Sequence, residues 1–156
     1  MTERHFVPVH VGRSTPFIRV LEDLRARGHR YEPEIIEAEI RFLRAPERIS
    51  RPSDVEMTIL RFPDDLNSIA AAERIAAESG CRLADFWETA ALALTCPQIF
   101  AAQANVPLLV IGEPMRISGG RVRIPILPNF GLGVPPIHFE ECGRYAGAVH
   151  FPAAKL

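Results

Sequence analysis

The chain reads as an α+β domain, a mixed or antiparallel sheet packed by helices on one face, with a β-rich C-terminal third. Three observations carry that expectation. Residues 5–27 contain one clean strand alternation followed by one clean helical stripe, and residues 64–103 are dense in Ala, Leu and Ile. After them come short apolar runs separated by Pro and Gly. The length of 156 residues suits a single domain, 1–156, able to bury about two-thirds of its unfolded surface.

Residues 5–11 alternate, with Val7, Val9 and Val11 on one face, and Pro8 favours an edge position. Residues 12–16 supply a turn, an N-cap in Ser14 or Thr15, and a proline suited to a first helical turn. The helix that follows aligns Phe17, Val20, Leu21 and Leu24, and Gly28 is placed to end it. Residues 33–45 satisfy two patterns. Ile36, Ala38, Ile40 and Phe42 alternate as in a strand, whereas Glu34, Glu37, Arg41 and Arg44 suit a helix dipole, and the helix is favoured. A strand there would begin a ferredoxin-like βαββαβ arrangement of the N-terminal half.

Residues 45–54, with two prolines and two serines, read as a loop, and residues 55–62 as a strand. One helix is expected from 64 to 78 and another from 83 to 94, burying Leu83, Phe86, Trp87, Ala90 and Leu94. A short helix follows Pro97. The apolar run 106–111 suits an interior strand. Residues 115–117 and 121–127 flank Ser118-Gly119-Gly120 as a hairpin, and 137–139 and 145–151 are further short strands.

Composition narrows the function classes. An apolar fraction of 47% with 24% charged residues argues against disorder. No apolar run approaches the roughly 18 residues of a membrane span, and no apolar leader precedes the first strand, so a cytoplasmic protein is expected. A net charge of −1 argues against nucleic acid as a partner bound by overall charge. Lys155 is the only lysine, and an arginine-rich set favours bidentate contacts to carboxylate or phosphate. Cys81, Cys96 and Cys142 form no CxxC pair and read as free thiols, with no cofactor implied.

Several residue groups could carry chemistry. Cys96 before Pro97 would be the N-cap of a short helix, where the dipole stabilises a thiolate, with His138 or His150 as base and Glu88, Glu140 or Glu141 orienting it. His138, Glu140 and Cys142 would share one side of a strand, a weak metal-ligand set lacking a second group. Arg13, Ser14 and Thr15 precede a helix and could hold an anion. Phe130 and Leu132, in a Pro/Gly loop at 128–136, would be costly to expose and suggest a ligand cleft or a self-association surface. The expectation is therefore a homo-oligomeric small-ligand-binding or protein-interaction domain. The alternative is a cysteine-nucleophile enzyme for acyl or related group transfer, using Cys96 with His138 or His150.

Overall fold

A computed structural model describes residues 5–29, 31, 40–62, 69–98, 108–117, 122–128, 137–141 and 149–156. Its elements, in order, are β1 (Val7–His10), α1 (Phe17–Ala26), β2 (Ile40–Phe42), α2 (Ala45–Ser50), β3 (Asp54–Phe62), α3 (Ile69–Glu78), β4 (Cys81–Leu83), α4 (Phe86–Thr95), β5 (Leu108–Val110), β6 (Met115–Ile117), β7 (Val122–Pro128), β8 (His138–Glu141) and β9 (Val149–Lys155). The architecture is α+β. Strands run β1-β3-β9-β5-β7-β6-β2 across one sheet, with β4 also pairing β9 and β8 also pairing β7. Among the described strand pairs all are antiparallel except β5 with β9, and β1 lies at an edge of the strand order, as Pro8 favours.

Helices cover both faces of this sheet, where the sequence suggested one. Alternate residues of β3 point to opposite sides. Val55, Met57 and Ile59 join the cluster built with Phe17, Leu21 and Leu24 of α1 and Phe86, Trp87 and Leu92 of α4. Leu60 joins a second cluster with Ala72 and Ala76 of α3, Cys81, Leu83, Ile124 and Phe151. The small side chains of α3 let its backbone lie close to that second face.

Local chemistry explains the boundaries of α1. Pro16, not Ser14 or Thr15, is its N-cap residue, and no side chain caps it. Gly28 ends the helix at φ 100°, a left-handed conformation that costs glycine little, and His29 donates its backbone N–H back to the Leu24 carbonyl.

Three expectations need correction. Residues 40–42 are strand rather than helix, because the alternation of Ile40 and Phe42 is used to pair β6. Residues 45–50, expected as loop, form α2, with Pro46 in the first turn and Glu47 beside it. Leu83 belongs to β4, which hydrogen-bonds to the end of β9, so α4 begins three residues later than its apolar spacing suggests. The antiparallel pairing of 115–116 with 122–123 and the interior position of 108–110 are as expected, and the expected turn at 118–120 lies outside the described residues.

Residues 108–117 run along β7 with an interruption. Val110 is opposite Ile126 and Met115 opposite Arg123, so five steps on one strand face three on the other. The two extra residues form a bulge around Gly112, Glu113 and Pro114, which takes Glu113 off the ladder. Gly112 allows close approach here, since an added Cβ would lie 2.7 Å from Leu83 Cβ. Gly112→Ala should therefore lower stability by about 1–3 kcal/mol in urea denaturation, and Leu83→Gly in the same chain, which removes that Cβ, should remove most of that increment. An additive double variant would show that the contact does not set the bulge.

Candidate functional site

The start of α4 gathers the densest buried charge among the described residues. Asp85 caps the helix: its Oδ1 accepts the Glu88 backbone N–H at 2.8 Å, and Glu88 Oε1 accepts the Asp85 N–H at 3.0 Å. This is a complete capping box. Both carboxylates are fully buried, and three guanidiniums converge on them. Arg13 donates to Asp85 Oδ2 and Glu88 Oε2, each at 2.9 Å, and Arg51 donates to Asp85 Oδ2 at 3.0 Å. Arg82 grips Glu88 with both terminal nitrogens, at 2.7 and 2.6 Å. Arg13 also donates twice to the Pro52 carbonyl, so it ties the 12–16 turn to the segment after α2.

Environment separates the two carboxyls. Burial would raise both. At Glu88 the hydrogen bonds and charges of Arg82 and Arg13 outweigh it and hold the group below its ordinary range. At Asp85 burial and the Glu88 charge prevail over Arg13, and the group is pushed up.

A second buried pair lies beside the first. Glu113, on the bulge, accepts from Arg48 Nη1 at 2.6 Å, and both side chains are more than nine-tenths buried. Burial first, then the Asp85 charge, raises Glu113 to about 7 against the opposing pull of Arg48 and Arg51. The Arg48 guanidinium lies 3.7 Å from the centroid of the Trp87 ring and 5.0 Å from that of Phe42. Such stacking suits a planar cation. Trp87 in turn donates its Nε1–H to the Thr15 carbonyl at 2.7 Å, fixing the 12–16 turn over the indole.

Two clefts flank these groups. The larger, about 820 Å³, is lined by Pro8, Val9, Arg51, Arg82 and Lys155 among others. Its cations already have counter-charges, Arg51 meeting Asp85, Arg82 meeting Glu88 and Lys155 meeting Glu56, and His10 Nδ1 is hydrogen-bonded to Asp54. The smaller, about 570 Å³, is lined by the 12–16 turn, Phe17, Phe42, Arg48 and Trp87. Here Arg48 Nε is buried with no hydrogen-bond acceptor among the described residues. An N–H so placed normally has a partner, because leaving it bare costs about 1–3 kcal/mol.

The sequence-derived candidates divide accordingly. Arg13, Ser14 and Thr15 line the smaller cleft, although Arg13 makes four hydrogen bonds to protein acceptors. The cation the sequence did not single out is Arg48. Cys96 is the C-cap of α4, its backbone N–H donating to the Leu92 carbonyl at 2.9 Å, rather than an N-cap alone, and helical residues resume at Pro97. It is half-buried against the α1/α4 cluster.

His150 is buried within the sheet, opposite Arg61 and beside Leu109. Burial, then the Arg61 charge, lowers its pKa. No hydrogen bond joins it to Cys96 among the described residues. His138 and Glu140 occupy β8, at register positions opposite Ile126 and Ile124. Phe130, Leu132 and Cys142 lie outside the described residues, and among the described residues no cluster of three metal-ligating side chains occurs. Among them, too, no helix is long and apolar enough to cross a membrane.

No protein-family model, curated protein or solved structure matches this chain.

Removing the carboxylate of Glu88 while keeping its shape would leave Arg82 and Arg13 without a full counter-charge. Glu88→Gln should cost about 3–5 kcal/mol in chemical denaturation. Its pH signature is specific. A carboxyl lowered by folding contributes stability that is present above its ordinary value of 4.5 and is lost as pH falls toward the lowered value. The variant should therefore lack the part of the acid limb that the native chain shows below about 4.5. Identical acid limbs would rule out this role for Glu88.

Proposed function

We propose that this protein is a binding module for a small molecule carrying one anionic group on a flat, apolar body, held in the cleft over Trp87. The single observation behind this reading is Arg48. It is a buried cation lining the cleft, stacked on an indole, with an Nε–H that no acceptor among the described residues uses. A cleft of about 570 Å³ is within the usual range for small-ligand sites, with aromatic walls and a few convergent polar groups. Phe17, Phe42 and Trp87 supply the walls. The Ser14 and Thr15 hydroxyls and the uncapped start of α1 add polarity suited to an anion.

Charge favours an anionic ligand. Arg13, Arg48, Arg51 and Arg82 face only Asp85, Glu88 and Glu113, so positive charge is in excess whether or not Glu113 is ionised.

Trp87 is the only tryptophan, so its fluorescence reports the cleft directly. Benzoate should quench it saturably, and benzyl alcohol, of similar shape without the charge, should bind at least about tenfold more weakly, as loss of a charge-assisted hydrogen bond implies. Arg48→Met would strand Glu113, so the test variant pairs it with Glu113→Gln. That double variant should lose benzoate binding while remaining folded by circular dichroism. Absence of saturable quenching in the native chain, or equal affinity in the folded double variant, would refute the reading.

A further inference from the structure

The inference drawn here rests on the anion-binding reading and concerns how that same cleft is regulated. Arg48 has two sides. Inward, its Nη1 donates to Glu113 at 2.6 Å; the side chain also lines the cleft, and its buried Nε has no acceptor among the described residues. Among the described residues Arg48 is the one side chain hydrogen-bonded to Glu113, whose residue is 1% exposed. We propose that binding of a carboxylate in the cleft is coupled to uptake of a proton by Glu113.

The argument is electrostatic. An anion docking in the cleft beside Arg48 would place a second negative charge on one guanidinium already shared with Glu113. Two carboxylates at short range in a water-poor interior cannot both keep their charge cheaply, and one of them is driven toward the neutral form. Glu113 is the one to yield, because it is enclosed behind Arg48 while the ligand keeps contact with the open cleft. Other groups facing it set the balance. Arg51, after α2, favours the charged form, and Asp85, at the start of α4, disfavours it. His10 and Arg13 line the ligand's side of the cleft. In the free protein Glu113 already titrates at about 7, close enough for a nearby anion to protonate it at neutral pH.

The sign follows from linkage. Between the free value of about 7 and the higher value in the complex, binding takes up a proton, so affinity weakens by up to about tenfold for each pH unit of rise. Below about 7 the carboxyl is protonated in both states and affinity levels off until the ligand itself protonates.

Calorimetric titration of the native chain with benzoate tests this at pH 6, 7 and 8, using Tris and HEPES at pH 8. The expected result is weaker binding at pH 8 than at pH 7 and a binding enthalpy that differs between the two buffers in the sense of proton uptake. Glu113→Gln should bind with an affinity that no longer falls across this range and with matching enthalpies in the two buffers. Should that variant not fold, carbon NMR titration of the Glu113 carboxyl in the native chain reads the same event, and its midpoint should rise when benzoate is added. Saturable binding with no buffer dependence, a midpoint unmoved by benzoate, or a folded Glu113→Gln that keeps the linkage would overturn the coupling alone. No saturable benzoate binding at any of the three pH values would overturn both this and the anion-binding reading.

Discussion

The capping box of α4 is the constraint on which the remaining structure depends. Helix starts are usually capped by one polar side chain in contact with water. Here Asp85 and Glu88 cap the helix from inside the protein, and their charge has to be met by arginines brought from elsewhere in the chain. Arg13 comes from the turn before α1, Arg51 from the end of α2, and Arg82 from β4. One helix start thereby fixes three segments. A buried cluster of this kind is not favoured for stability alone, since well-packed apolar groups often serve as well. What it supplies is position: it brings the 12–16 turn and α2 together against Trp87.

Placement of Arg48 follows from that arrangement together with the bulge. α2 is held by Arg51 at its end and by the Arg48–Glu113 pair within it, and Glu113 is available only because the 108–117 stretch carries two residues more than β7 does. Gly112 makes the bulge compatible with β4, and the β4 residue beside Leu83 is Arg82, which returns the connection to Glu88. The cleft is thus a consequence of sheet geometry as much as of side-chain chemistry. Its aromatic wall, with Phe17, Phe42 and Trp87 in mutual edge and tilted contacts, belongs to the core itself, which makes it rigid rather than adaptive.

Much of this was legible locally. The Val7/Val9/Val11 alternation, the α1 stripe, the hairpin around residues 118–120 and the interior apolar run each declare themselves within ten residues. So does Asp85-Phe86-Trp87-Glu88, a capping-box spacing that the competing apolar pattern starting at Leu83 obscured. Errors arose where distant pairing decides the outcome. Leu83 fits a helical stripe, yet β9 recruits it as strand, and Ile40 and Phe42 fit either pattern until β6 is present to pair with. α2 is six residues containing one proline and one serine, too short for periodicity to show. Arg48 and Glu113 stand 65 residues apart, and nothing near either one announces the other. Arg13, Ser14 and Thr15 were found from their place before a helix; their cleft was visible only once Trp87 and Phe42 came to face them.

Hydrogen exchange on Asp85→Ala offers the most direct measurement of whether the charged start of α4 organises the surrounding segments. With the cap and the shared acceptor for Arg13 and Arg51 removed, amide protection should fall together in residues 12–16 and 45–53, while the β3 and β9 ladder keeps its protection. Unchanged exchange in those two segments, with losses confined to α4, would contradict the account.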